Sequence, residues 1–142
     1  MDGIHLDYIR FPNAEVCRCP ECRASLSRRA RLNWPLDLDP TRDPERQRVW
    51  YDYRVELIRE LTATISTAVR ESGSELIVSA SLKPEGALNA DGVRLYGQSY
   101  EQLCPLLDFI TPMAYHRLDA QPIAWVKAVA ESGQWRAGST PL

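Results

Sequence analysis

The sequence predicts an α/β fold in which parallel strands alternate with helices. Three short apolar runs, at residues 3–11, 76–82 and 107–115, have the length of buried strands. Segments with helical spacing of apolar residues separate them. Nearly continuous apolar strands separated by helices indicate a parallel sheet that is covered on both faces. A closed (β/α)8 barrel needs about 250 residues, so this chain of 142 residues is either a small open sheet or a piece of a barrel.

The first half of the chain contains one strand, a long insertion and the clearest helix. Pro12 ends the strand predicted at residues 3–11. Residues 13–44 form a polar insertion that carries a cysteine cluster and a short helix at about residues 21–32. A loop of this length is usually functional or partly disordered. Residues 45–71 repeat apolar side chains at the spacing of one buried helical stripe.

The second half continues the alternation of strands and helices. Its predicted elements are a strand at 76–82, a loop at 91–96, a short helix at 99–106, a strand at 107–115 and a helix at 122–132. Gly133 fits the end of that last helix. Residues 135–142 are predicted to begin a further strand. We therefore expect residues 1–142 to form a single partial domain.

The composition is that of a globular protein and narrows the range of partners. Hydrophobic residues make up 44% of the chain, charged residues 25%, and the net charge is −2. This balance gives no electrostatic argument for nucleic acid or for an anionic membrane surface. No apolar run approaches the roughly 20 residues that a membrane span requires. No secretory leader follows Met1, but we expect the true N-terminus to be missing. The location is therefore open, with a secreted or cell-envelope parent protein as one alternative.

Residues suited to a functional site follow the ends of all three predicted strands. They are Asp7, Tyr8 and Arg10 after the first strand, Ser81, Lys83 and Glu85 after the second, and Met113, Tyr115 and His116 after the third. The C-terminal ends of parallel strands face the functional site in α/β folds. Two acids gathered on one rim would supply the paired carboxylates of glycoside hydrolysis.

Three stretches resemble a known group of enzymes. Residues 2–12, DGIHLDYIRFP, resemble the fourth strand of the bacterial glycoside-hydrolase-like TIM barrels, which include the family 10 glycosidase-like proteins and related groups. Residues 76–84 resemble their fifth strand, and residues 97–103 with 108–116 resemble their sixth strand and the segment before it. The resemblance implies a partial TIM barrel of about strands 4 to 6, with strand 7 beginning near Trp135.

The resemblance also implies a function. The parent protein is expected to hydrolyse a glycosidic bond in a polysaccharide without a cofactor. Asp7 is the expected nucleophile or electrostatic stabiliser, and Glu85 is the expected general acid. The expected substrate contacts are Arg10, Tyr115, His116 and His5. With five strands missing, the chain would expose two sheet edges. We expect it to be inactive alone, or to depend on the missing barrel half or on self-association.

Each of these residues could instead have a structural role. Asp7 is a structural acid if it pairs with Arg10 or His5. Glu85 follows Pro84 in a predicted loop, where solvated glutamates are common. If Tyr115 and the next residue lie on a strand, only one of the two side chains points inward.

A more distant similarity, to the chitinase-type hydrolases, opens a second functional interpretation. Their fourth strand carries the pattern D-x-x-D-x-D-x-E. This chain keeps Asp2 and Asp7 but has His5 at the second acidic position and Ile9 at the position of the catalytic glutamate. The second interpretation is therefore a non-catalytic carbohydrate-binding or scaffold protein on a degenerate hydrolase fold.

Three cysteines lie within six residues, as Cys17, Cys19 and Cys22. Clustered thiolates suit zinc, but a closed structural zinc site needs four ligands. Cys104 or a histidine would have to complete it. The same spacing is also compatible with a disulfide between Cys17 and Cys22, or with three free thiols.

Overall fold

The computed structural model describes residues 2–17, 19–31, 33, 43–73 and 75–142. Within them the elements are, in chain order, β1 (Gly3–Leu6), α1 (Pro20–Ala30), α2 (Pro44–Ser72), β2 (Ile77–Leu82), α3 (Glu85–Leu88), α4 (Ala90–Tyr96), α5 (Tyr100–Leu103), a short 3-10 helix (Cys104–Leu106), β3 (Phe109–Pro112) and α6 (Ile123–Ala137). The predicted insertion at 13–44 thus contains α1, and its residues 34–42 lie outside the described part of the chain.

The strands form a parallel sheet in the order β1-β2-β3, with β2 in the centre. His5 of β1 lies opposite Ser79 of β2, and Ser81 of β2 lies opposite Thr111 of β3. Each strand reaches the next through helices, as parallel pairing requires. The predicted α/β class with a parallel sheet is confirmed.

One face of the sheet carries the main core. Val78, Ala80 and Leu82 of β2 point to this face, together with Ile110 of β3, and all four are fully buried. They pack against apolar side chains of the helices, among them Ile58, Val69, Leu103, Val129 and Ala137. Burial of these branched side chains is the main force that holds the helices on the sheet.

The opposite face is open in the described part of the chain. His5 and Thr111 are exposed there, and the apolar Ile77 and Phe109 keep 44% and 38% of their surface exposed. The prediction of helical cover on both faces is therefore wrong. The strands were apolar enough to suggest two buried faces, but the residues on this face alternate with the core residues and include serine, threonine and histidine.

Helix α2 begins and packs as its sequence predicts. The Asp43 carboxylate accepts hydrogen bonds from the first-turn N–H groups of Glu45 and Arg46. Trp50 and Tyr53 on its buried stripe form a second small core with Leu26 of α1. This second core fixes α1 against α2.

Several predictions in the second half are wrong, and the loop predicted at Glu85 is helix α3. Residues 91–96 form helix α4 and not a loop, because Asn89 caps its first turn through Gly92 N–H and Gly97 ends it in the left-handed conformation. The strand expected near Trp135 is absent, since α6 continues to Ala137.

The prediction placed the end of α6 at the wrong glycine. Gly133 does not end α6 but lies buried inside it, where a Cβ would come within 3.4 Å of the Tyr100 ring. Close packing, and not chain termination, is the role of this glycine. The helix ends instead at Gly138.

Candidate functional site

The chain turns sharply where β1 ends. Asp7 Oδ1 accepts a hydrogen bond from the N–H of Tyr8 at 2.9 Å, and the N–H of Arg10 donates to the Tyr8 carbonyl at 2.7 Å. Tyr8 adopts the left-handed conformation with φ of 55°, and it is 70% exposed. Because this turn follows Leu6, β1 is shorter than the predicted 3–11. A bulky residue held at positive φ is costly and typical of functional turns.

The Arg10 guanidinium lies close to two tyrosine rings. Its central carbon is 4.7 Å from the Tyr8 ring centroid and 5.4 Å from that of Tyr96. Nη1 donates to the Phe11 carbonyl at 3.3 Å, while the buried Nε has no hydrogen-bond partner among the described residues. The rings hold the cation in place and leave one donor unused.

A second cation lies against the same Tyr96 ring. Lys83 Nζ is 5.3 Å from the Tyr96 ring centroid and 3.7 Å from Glu85 Oε1, and the lysine side chain is only 18% exposed. The second carboxylate oxygen of Glu85 is buried and has no hydrogen-bond partner within the described part of the chain. Glu85 therefore has an acceptor available for a donor that the described residues do not supply.

Glu85 also borders a cleft of about 430 Å³. The other residues that line this cleft are Ala14, Tyr51, Asn89, Asp91, Gly92, Arg94 and Leu95. Its wall is formed by the insertion, by α2 and by α3 and α4. The cleft is large enough for a small ligand group beside the carboxylate.

The segment after α4 joins the ends of β1 and β2. The buried Gln98 accepts the N–H of Lys83 at 2.8 Å and donates to the Ile9 carbonyl at 3.1 Å. The Tyr96 carbonyl accepts the N–H of Phe11 at 3.0 Å. Gly97 lies between them at φ of 73°, and a Cβ there would meet Phe11 Cδ2 at 3.1 Å. This segment is what brings the Arg10 and Lys83 loops to one rim.

Arg54 of α2 stabilises the same loops by hydrogen bonds to their backbone carbonyls. Its guanidinium is fully buried and donates to the carbonyls of Asn13, Arg94 and Leu95. It also lies over the Phe11 ring, 4.5 Å from the centroid. Burial lowers the pKa of Arg54 to about 10, so that the side chain stays charged at neutral pH. The charge caps the carbonyl end of α4.

His5 lies on the open face of the sheet. Its Nδ1 is 2.8 Å from Ser79 Oγ, and its Nε2 is 2.9 Å from Ser81 Oγ. Both ring nitrogens are thus held by hydroxyl groups of the neighbouring strand. The predicted contact of His5 with substrate stays a prediction.

Tyr115 and His116 lie in a turn and not on a strand, since β3 ends at Pro112. The N–H groups of both donate to carbonyls two residues back, those of Met113 and Ala114. Tyr115 is 59% exposed, and His116 Nδ1 lies 3.2 Å from the Gln121 carbonyl. The expected alternation of the two side chains along a strand is therefore wrong.

The structural pairings considered for Asp7 are not observed. In the described residues, neither Arg10 nor His5 forms an ion pair or hydrogen bond with its carboxylate, which accepts instead from its neighbour Tyr8. Tyr115 and His116 form no hydrogen bond with Asp7, Arg10 or Glu85 within that same part of the chain. The structure thus gathers Asp7, Arg10 and Glu85 around β1 and β2, with Tyr115 and His116 on the separate turn after β3.

The three clustered cysteines are close enough to share one metal ion. The Sγ atoms of Cys17, Cys19 and Cys22 lie within 4.8 Å of one another. Cys19 is the N-cap of α1, and its Sγ accepts the N–H of Cys22 at 3.4 Å. Hydrogen bonds from the Cys19 backbone and side chain lower the pKa of Cys17, whereas burial raises the pKa of Cys22 to about 12.

Cys104 does not belong to this cluster. It is fully buried in the main core beside residues such as Leu103 and Ile110. Of the two fourth ligands considered, Cys104 or a histidine, Cys104 is therefore excluded, and no disulfide joins the four cysteines in this structure. No fourth metal-binding residue joins the cluster in the described part of the chain.

Sequence reasoning did not find Tyr96, Gln98 or Arg54. The pattern around Tyr96 predicts a loop, and Gln98 carries no catalytic signature. An arginine on the buried stripe of α2 was the one available signal, because a charged residue at a core position needs partners.

Comparison with known proteins finds a solved structure that shares the fold of this chain. No protein-family model and no curated protein sequence matches the chain. Among solved structures, the chain is similar to the glycoside hydrolase domain of PgaB (BpsB) from Bordetella bronchiseptica, with a TM-score of 0.81 and 18% sequence identity. The match covers 99% of this chain and 40% of that chain. The two share a fold, and this chain spans less than half of the other.

No helix in the described residues is both long enough and apolar enough to cross a membrane.

Proposed function

We propose that this chain is part of a glycoside hydrolase that acts on a polysaccharide. The observation that carries the proposal is the likeness of nearly the whole chain to a glycoside hydrolase domain. Supporting it, the acids Asp7 and Glu85 follow the C-terminal ends of adjacent parallel strands, β1 and β2. This end of parallel sheets is where α/β enzymes assemble their sites.

The two acids have distinct roles in this proposal. Asp7 attacks the anomeric carbon or stabilises the positive charge that develops there, and Glu85 donates a proton to the leaving oxygen. The cleft that Glu85 borders supports this role, because a leaving group bound there would lie beside its carboxyl group. Arg10, Tyr115, His116 and His5 are proposed to contact the sugar.

The rest of the barrel is part of the same proposal. The strands correspond to about strands 4 to 6 of a TIM barrel, and the open face with Ile77 and Phe109 is covered by further strands or by a second copy. The match to only 40% of the PgaB domain supports this arrangement.

Reducing-sugar release from a set of polysaccharides tests the proposal. It is measured for this chain and for the natural polypeptide that contains it. We expect Asp7→Asn to abolish release and Glu85→Gln to lower it about 10²- to 10⁴-fold. The matched controls, Asp52→Asn and Glu131→Gln on exposed helical positions, should leave it unchanged. Sugar binding without any turnover would favour a non-catalytic carbohydrate-binding or scaffold protein instead.

The spacing of the three sulfurs favours a second role, a structural zinc site. We propose that Cys17, Cys19 and Cys22 bind zinc as thiolates, with a ligand other than Cys104 in the fourth position. The hydrogen bond from Cys22 N–H to Cys19 Sγ would stabilise a bound thiolate. Such a site would tie the start of α1 to the insertion that precedes it.

Metal analysis of the purified protein tests the zinc site. We expect about one zinc per chain, lost in Cys19→Ser, together with a fall in the thermal midpoint of unfolding. Cys104→Ser is the matched control for metal content, because Cys104 lies in the main core. Absence of metal, and an unchanged midpoint in Cys19→Ser, would leave free thiols or a disulfide as the explanation.

A further inference from the structure

We propose that Arg10, Lys83, Tyr8 and Tyr96 form a subsite for a sugar that carries a carboxylate, such as a uronic acid unit of the polysaccharide. The inference rests on the proposed function, because it names the substrate class of the same rim. The four side chains lie on one continuous surface, since both cations are placed against the Tyr96 ring.

Arg10 has positive charge without an internal counter-ion. No carboxylate among the described residues lies within ion-pair distance of it. Its buried Nε has no partner in that part of the chain, and Nη1 reaches only the backbone carbonyl of Phe11 at 3.3 Å. Buried donors of this kind are normally satisfied. A planar carboxylate matches the guanidinium fork, and Nη2 of Arg10 forms no hydrogen bond with the described residues and is available to it.

Lys83 adds a second, partly desolvated cation. Its distance of 3.7 Å to Glu85 Oε1 exceeds that of a hydrogen bond, so its ammonium group keeps free donors. With only 18% of the side chain exposed, its field is less screened by water than that of a surface lysine. Two cations against one ring favour an anionic ligand group.

The tyrosines supply the sugar-binding part of the subsite. Tyr8 exposes 70% of its surface directly beside Arg10, and its left-handed backbone holds the ring at the rim. An exposed aromatic ring packs against the apolar face of a pyranose. A stacking ring next to an unpaired guanidinium fits a sugar acid better than a free anion or a neutral sugar.

The two acids of the rim do not cancel the preference for an anionic ligand group. The Asp7 carboxylate accepts the N–H of Tyr8, and Glu85 lies toward Lys83 and the cleft. The carboxylate of the ligand is therefore placed at the two cations, and the scissile bond beside the two acids.

Binding of oligogalacturonides and of their methyl esters tests the inference by calorimetry. Both probes have the same sugar backbone, and only the first carries charge. We expect the free acid to bind at least about tenfold more tightly, with an affinity that falls as salt rises. Arg10→Gln and Lys83→Gln should each remove most of this preference, and Arg10→Lys should recover only part of it. The matched control is Lys127→Gln, at an exposed lysine of α6. It should leave the preference for the free acid unchanged.

The outcomes separate this inference from the proposed function. Equal binding of acid and ester, binding of neither, or a preference that survives Arg10→Gln would overturn the subsite. Equal binding of a sulfated neutral oligosaccharide would overturn the choice of carboxylate. If Asp7→Asn still binds the free acid more tightly than the ester, the subsite is supported, whether or not the variant hydrolyses polysaccharide. If the wild type shows that preference but hydrolyses nothing, the proposed function fails and the subsite stands.

Discussion

Gln98 and Lys83 are joined by a hydrogen bond of 2.8 Å from the backbone N–H of Lys83 to Gln98 Oε1. The amide nitrogen of the same side chain donates to the Ile9 carbonyl at 3.1 Å. One fully buried side chain thus satisfies backbone groups at the ends of two neighbouring strands. The loops that carry Arg10 and Glu85 depend on it for their relative position.

Replacing Gln98 should therefore loosen the rim. We expect Gln98→Met to lower the free energy of unfolding by about 1–3 kcal/mol, because it leaves a buried donor and acceptor unsatisfied. Urea denaturation measures the change. Gln102→Met, at an exposed position, is the matched control and should change stability by less than about 0.5 kcal/mol. Equal effects of the two variants would contradict this role of Gln98.

Arg54→Met should lower the free energy of unfolding by more than Gln98→Met does. It leaves the carbonyls of Asn13, Arg94 and Leu95 without their charged donor, and we expect a loss of about 2–4 kcal/mol. Arg54→Lys should rescue little, since an ammonium group cannot bridge the three carbonyls. Hydrogen exchange supplies a local readout, because the Phe11 N–H that donates to Tyr96 should lose protection. Unchanged protection would argue that Arg54 does not support the loop.

The left-handed conformation of Tyr8 can be tested by replacing it with either of two small residues, alanine or glycine. Tyr8→Ala and Tyr8→Gly both remove the ring, but glycine adopts φ of 55° without steric cost. We expect Tyr8→Gly to be more stable than Tyr8→Ala by about 1 kcal/mol in thermal or urea unfolding. At Tyr115, which is not among the residues with positive φ, the order should reverse. The same order at both positions would count against strain at Tyr8.

Cys104 should make the protein less stable at alkaline pH. Burial raises the pKa of this thiol from 9.0 to about 11. Because the folded-state pKa lies above the unfolded one, the stabilisation is complete below pH 9 and is lost as pH rises toward 11. The loss amounts to about 2–3 kcal/mol for two pH units. Urea midpoints from pH 8 to 11 should fall less steeply in Cys104→Ala, and parallel curves would contradict the prediction.

Local sequence patterns were sufficient for the elements that local forces define. The run at β2 and the apolar stripe of α2 carry their own signals, and Asp43 with Pro44 marks the start of the helix. Asp7, Arg10 and Glu85 were candidates because functional residues often follow the ends of parallel strands, and their roles stay predictions.

Local patterns misled where packing over long range decides the conformation. Asn89, Asp91 and Gly92 resemble a turn, yet they begin α4. A Cβ at Gly92 would lie 2.2 Å from the Glu85 backbone, so the glycine permits the close approach of α3 and α4. Gly133 plays a similar part inside α6. A glycine that terminates a helix and one that allows close packing look the same in a sequence.

The sequence by itself determined the α/β class, the parallel strands and the acids at their ends, because these follow from short-range periodicity and from strand polarity. Only the tertiary structure decided which groups share the rim. Tyr96 and Gln98 come from the end of α4 and the segment after it, and Arg54 comes from α2, yet all three contact the loop after β1. These contacts join residues far apart in the chain, and no local pattern encodes the packing that brings them together.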